Sequence, residues 1–183
     1  PYYDWVLIRD RNLFWKYGVP EMLGEKLWEF YENKEHIKQV ALGPAEDFTV
    51  IRGSYGYYYS GIPQKLADCI VTRYNNKEEI NNVVLGKDGS WVLVYSRNGY
   101  ESDGVSEEVR NQLFEFNKNN DDIKQVALGP NETFSLLRGN KGFYISAGVP
   151  QDFYDKMFEL NKTAHEIKSV SLLDNGGWLI LYV

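Results

Sequence analysis

The octapeptide IKQVALGP occurs twice in this chain, starting at Ile37 and again at Ile123. The midpoint of that interval falls on Ile80, which opens the weaker copy INNVVLGK, so the period is 43 residues. One further step, with a single inserted residue, reaches Ile167 and IKSVSLLD. An aromatic residue leading an apolar run follows each copy: FTVIR from Phe48, WVLVY from Trp91, FSLLR from Phe134 and WLILY from Trp178. The same element, WVLIR from Trp5, stands near the start of the chain. Self-similarity at a fixed interval of this size marks a repeat architecture and constrains the fold more than any single motif.

One repeat resolves into three short strands and a helix. Val40 and Leu42 alternate with smaller or polar residues, the period of a half-buried strand. A turn rich in Gly, Pro, Asn and Asp follows, and the aromatic-led run is the second strand. A loop ending at Gly56, Gly99 or Gly142 leads to a third strand, which suggests a hairpin whose last loop residue takes positive φ. The glycines Gly18, Gly61, Gly104 and Gly148 precede helices whose first turn accepts proline. Val19, Leu23, Leu27 and Phe30, then Ile62, Leu66 and Ile70, recur at helical spacing and give each helix one apolar stripe.

These elements predict an α+β fold with pseudo-fourfold repetition: a mainly antiparallel, curved or closed sheet carrying four helices. The repeats run over about 1–36, 37–79, 80–122 and 123–166, with a closing segment 167–183, in one domain. The first segment begins at a second strand and the last stops at one. Their complementarity favours a closed ring sealed by pairing of the two ends, because closure removes exposed sheet edges. An open strip is the alternative.

Composition narrows the function. A net charge of −6 argues against nucleic acid as the partner, since phosphate neutralisation needs a concentrated basic surface. No apolar run is long enough to span a membrane as a helix. The lone Cys69 leaves no internal disulfide and favours a reducing, cytoplasmic setting, with secretion as the alternative. Its counterparts Lys26, Gln112 and Lys156 predict an exposed thiol. His36 and His165 occupy non-equivalent places, and HExxH, GxSxG, paired cysteines and phosphate-loop glycines are missing from the sequence. The expectation is a chain that is not an enzyme and carries no catalytic residues, metal or cofactor.

The candidate binding residues come from paired variation between two repeat positions. With a three-residue loop, Arg52 would face Tyr58, Arg138 would face Tyr144, and Arg9 would face Trp15. In the remaining repeat both members change, to Tyr95 and Glu101. Guanidinium over an aromatic face stabilises a hairpin by roughly 0.5–1 kcal/mol at an exposed site. The same atoms offer a stacking surface and a fork of donors for sugars and anionic glycans. These residues predict a multivalent, lectin-like carbohydrate-binding protein. The alternative is a protein-interaction scaffold using one exposed repeat face. Phe14, Tyr57, Tyr100 and Phe143 fall on the opposite strand face and belong to the core.

Overall fold

The structure, a computed structural model, describes residues 4–139, 142–163, 165–173 and 175–183. The α+β repeat read from the sequence is present. A two-stranded hairpin, β1 (Trp5–Arg9) and β2 (Leu13–Tyr17), leads into α1 (Glu21–Glu32). Then come β3 (Ile37–Leu42), β4 (Phe48–Arg52), β5 (Gly56–Ser60) and α2 (Gln64–Asn75). The third unit is β6 (Ile80–Leu85), β7 (Trp91–Tyr95), β8 (Gly99–Asp103) and α3 (Glu107–Lys118). The fourth is β9 (Ile123–Leu128), β10 (Phe134–Arg138), β11 (Gly142–Ile145) and α4 (Gln151–Lys162). The strands β12 (Ile167–Leu172) and β13 (Trp178–Tyr182) follow.

Three helices open on proline, and α1, α2 and α3 close by one shared turn. Pro20, Pro63 and Pro150 sit at three N-caps; at the fourth, the Ser106 hydroxyl accepts a hydrogen bond from the Val109 amide. The glycine turning each third strand towards its helix has positive φ, as at Gly61 (+72°), where a Cβ would come within 2.0 Å of Asp47 Oδ1. At the other end Lys34, Lys77 and Asn120 take left-handed φ of 55–57°. The next amide then bonds back to the carbonyl five residues earlier: Glu35 to Phe30, Glu78 to Arg73 and Asp121 to Phe116, each at 2.9 Å. This is a Schellman closure without glycine. It also fixes a carboxylate beside the helix's last inward residue.

Packing alternates sheet, helix, sheet. Leu23, Leu27 and Phe30 of α1 lie between Val6, Ile8 and Phe14 of the first sheet and Phe48, Val50 and Tyr58 of the second. Leu66 and Ile70 of α2 lie between Ile51 and Tyr57 behind and Trp91 and Leu93 ahead. The stripe Val109, Leu113 and Phe116 of α3 fills the same place between Val92, Val94 and Tyr100 and Phe134, Leu136 and Tyr144. Phe153, Met157 and Leu160 of α4 complete the series against Leu137, Phe143, Trp178 and Ile180. The assignment of Phe14, Tyr57, Tyr100 and Phe143 to the core side therefore holds.

The first strands of successive units form a spine, and the copied octapeptide explains it. Gln39 donates from Nε2 to the Val83 carbonyl at 2.9 Å and accepts from the Val83 amide at 2.8 Å. The Gln125 side chain binds both backbone groups of Val170 in the same way, at 3.1 and 2.8 Å. At the joint between them, buried Asn82 accepts from the Val126 amide at 2.9 Å. Lys38 adds bonds to the Ile80 carbonyl and Asn81 Oδ1. A side-chain amide thus replaces a strand ladder between repeats, satisfying backbone groups that would otherwise be buried unpaired.

Closure does not occur. Among the described residues the five sheets are separate: β1 pairs with β2, β12 pairs with β13, and no ladder links the two hairpins. The sheets are neither closed nor curled into one another. Interior sheets bury both faces under helices, as the run of four buried residues in β4, β7 and β10 shows. Units therefore join face to face through helices and amide clamps, leaving no shared edge that the terminal strands could seal.

Candidate functional site

The expected direct pairing of Arg and aromatic is not the register found. Arg52 lies opposite Gly56 while Tyr58 lies opposite Val50. Arg138 faces Gly142 with Tyr144 opposite Leu136, and Tyr95 faces Gly99 with Glu101 opposite Leu93. In the first hairpin Arg9 faces Leu13 and Trp15 faces Leu7. Each predicted pair shares a face as diagonal neighbours. The expected positive φ at Gly56, Gly99 and Gly142 is absent; Gly53, Ser96 and Gly139 adopt it instead. The repeated spacing has another cause: a Cβ at Gly56 would lie 2.7 Å from Arg52 Cγ, and one at Gly99 would lie 2.4 Å from the Tyr95 ring. Glycine leaves room for the neighbouring side chain to lie across the strand.

What these side chains meet is the preceding helix. The Arg52 guanidinium stacks 4.9 Å from the Phe30 ring centroid and pairs with Glu35 through Nη1. Arg138 stacks 5.0 Å from Phe116 and binds Asp121 at 2.6 Å. In the third unit the partners exchange places. Arg73 now projects from α2, 4.2 Å from the Tyr95 ring, and binds Glu78 at 2.9 Å, with Glu101 3.8 Å away. Guanidinium, aromatic ring and carboxylate recur at three joints although the element donating each of the first two changes. In all three the arginine Nε is buried without a hydrogen-bond partner.

Tyr58 and Tyr144 complete the joints. Tyr58 meets Phe30 edge-on at 6.5 Å and lies under the Lys26 ammonium at 5.2 Å. Tyr144 stacks on Phe134 and donates its hydroxyl to Glu108 Oε1 at 2.7 Å, a bond to a carboxylate that raises the phenol's pKa. Of the eight predicted residues, Arg9 and Trp15 stand clear of any joint. Trp15 is 48% exposed and Arg9 forms an ion pair with its neighbour Asp10 at 3.5 Å. No family model matches this chain. No curated protein matches it significantly either.

A set of exposed aromatic groups on the helices was not among the candidates. Trp28 and Phe114 are each 55% exposed and Phe158 is 37% exposed, all at one helical position whose fourth occupant is the half-buried Val71. Third-strand rings meet the helices along this edge. Phe14 contacts Trp28 at 5.2 Å, Tyr57 contacts Tyr74 at 5.4 Å, and Phe143 contacts Phe158 at 5.1 Å, all edge to face. Tyr31 extends the first cluster and Tyr154 the last. The signal was present in the sequence: large apolar residues recur at the repeat interval on the helix face that should be polar.

Among the described residues, no group of three His, Cys, Asp or Glu side chains is placed to hold a metal ion, and no helix is long and apolar enough to cross a membrane. His165 packs against Tyr182 at 5.1 Å. Cys69 is half-buried against the α2 cluster, not exposed. Burial pushes its thiol pKa up, reinforced by Glu101 and Asp68 and opposed by Arg73. A raised pKa lowers the thiolate fraction at neutral pH, and the thiolate is the nucleophile. Maleimide should therefore label native Cys69 more slowly than an unfolded control at neutral pH, with the rate rising as pH increases. Equal rates in both states would contradict the half-buried placement.

Proposed function

We propose that this chain is a noncatalytic binding scaffold whose ligand is a protein segment laid across the outer helix edges. The observation that carries this reading is the recurrence of Trp28, Phe114 and Phe158 at one exposed helical position, with exposed Tyr31 against the first and exposed Tyr154 against the last. Exposed apolar groups of this size are unfavourable in water and mark contact surfaces when they cluster. Trp and Tyr are also the residue types that dominate binding hot spots. Repeat stacking presents them on a preformed surface, which lowers the ordering cost of association.

Carbohydrate binding through Arg52, Tyr58, Arg138 and Tyr144 is the weaker reading, because their donors and ring faces already serve the joints. A different cluster favours it: Tyr57 and Tyr59 stack at 5.8 Å and 9°, with Tyr74 edge-on to Tyr57. That arrangement offers a ring face beside several hydroxyls, a combination suited to sugars.

Panning a displayed peptide library and a glycan array in parallel tests the two readings. The scaffold reading expects selected peptides to bind wild type and to lose at least about tenfold in affinity with Trp28→Ala, Phe114→Ala and Phe158→Ala combined, while the circular dichroism spectrum is unchanged. Peptide binding that survives this folded triple variant would exclude the helix edge. Glycan binding abolished by Tyr57→Ala and Tyr74→Ala would establish the carbohydrate reading instead.

A further inference from the structure

The first hairpin presents a second surface, separate from the outer helix edge. Trp5, Leu7, Arg9, Leu13, Trp15 and Tyr17 share one face of β1 and β2, as their direct pairing requires. Trp5, Leu7, Leu13, Trp15 and Tyr17 are 38–55% exposed. The opposite face, with Val6, Ile8 and Phe14, is occupied by α1.

The interior of the molecule shows what a face of this composition receives. Trp5, Leu7 and Arg9 correspond to Phe48, Val50 and Arg52, to Trp91, Leu93 and Tyr95, and to Phe134, Leu136 and Arg138. Every one of those three faces is covered by the helix before it. The covering stripe is Leu23, Leu27 and Phe30, then Leu66, Ile70 and Arg73, then Val109, Leu113 and Phe116. Five residues past each stripe comes a carboxylate, at Glu35, Glu78 and Asp121, and each pairs with the joint's arginine. A second copy of the chain cannot supply such a helix while folded, since all four of its stripes are already buried between sheets.

We propose that the open face of β1 and β2 is a docking site for one amphipathic helix lying outside residues 1–183. That helix carries aliphatic residues at positions i and i+4, an aromatic residue at i+7 and a carboxylate at i+12. Its apolar stripe covers Leu7 and Trp15 as α1 covers Val50 and Tyr58, and its carboxylate pairs with Arg9 as Glu35 pairs with Arg52. Helix-on-groove recognition of this kind reads anchors at the spacing of one helical face, and an arginine–carboxylate pair adds orientation. Leu13 replaces the glycine of the interior joints, so Arg9 stands off the sheet and meets the carboxylate at the rim. This inference does not depend on the outer aromatic edge.

The probe is a peptide of the chain's own sequence from Ser106 to Asp122, which carries Val109, Leu113, Phe116 and Asp121. A side-chain lactam between Arg110→Glu and Phe114→Lys on its outward face removes the cost of helix formation. Fluorescence anisotropy is expected to show saturable one-site binding to the full chain. Trp15→Ser or Arg9→Glu in the protein, and Phe116→Ser or Asp121→Lys in the peptide, should each weaken it at least about tenfold. Combining Arg9→Glu with the Asp121→Lys peptide should restore part of the loss. Since Arg9 and Trp15 are exposed, these variants should keep the wild-type melting profile. Failure of the wild-type pair to bind up to the peptide's solubility limit would overturn the proposal, as would binding indifferent to all four substitutions. Self-association abolished by Trp15→Ser would mean that a second copy covers the face, and would also overturn it.

Discussion

Replacing Gln125 with leucine is expected to destabilise the last joint by about 3 kcal/mol. The side chain satisfies both the amide and the carbonyl of Val170, which is 2% exposed, and leucine leaves both unpaired. Each buried backbone group stranded in this way costs about 1–3 kcal/mol. For a cooperative chain of this length the loss corresponds to a fall of about 6–12 °C in melting temperature. Repeat stacks distribute stability among neighbouring interfaces, so the loss should be local. Hydrogen exchange should accelerate at Val170 and through β12 and β13, while β3 to β5 remain protected. Gln125→Glu, which keeps the acceptor and loses the donor, should fall between the two. Unchanged protection at Val170 in the leucine variant would remove the clamp from the account of how repeats join.

The second large effect is an exchange between positions. In one joint the helix supplies Phe116 and the strand supplies Arg138; in the joint before it the helix supplies Arg73 and the strand supplies Tyr95. Phe116→Arg alone sets two guanidinium groups against each other and should cost about 2 kcal/mol. Arg138→Tyr alone strips Asp121 of its partner and should cost about 1 kcal/mol. Together they rebuild the arrangement of the other joint, so the double variant should recover most of the loss. The expected coupling is about 2 kcal/mol, measured by denaturant unfolding of all four proteins. Additive losses would show that the exchange of partners is not an interchangeable solution.

Much of the architecture was legible because it is local. Helix stripes such as Leu23, Leu27 and Phe30 and the alternation in β3 are set by periodicities of a few residues, and repetition confirmed each element several times over. The inward assignment of Tyr57 and Phe143 followed from the same alternation. The register of the second hairpin did not. A loop ending in Gly56 was consistent with a conformational role for that glycine, whereas its space is needed by Arg52, a neighbour across the strand.

The candidate pairs at Arg52 and Arg138 are drawn into the joints for a related reason. A strand ending in arginine reads as having one wet face, yet Arg52 is covered by Phe30 and Glu35 from the preceding repeat. Those residues lie on another element, brought over by the Schellman turn at Lys34. Correspondingly, Trp28 and Phe114 recur off the core stripes of their helices, a pattern the sequence carries, and packing shows that their side remains uncovered.

By itself the sequence determined the period, the order of strands and helix within it, and the residues that face inward along each element. These depend on steric and hydrophobic preferences acting over one or two turns of chain. Only the tertiary structure decided that the sheets stay separate, that Gln39 and Gln125 bridge them, and that guanidinium, ring and carboxylate meet at the joints. Those features depend on which face of one unit lies against the next, and the side chains that settle it are joined across space rather than along the chain.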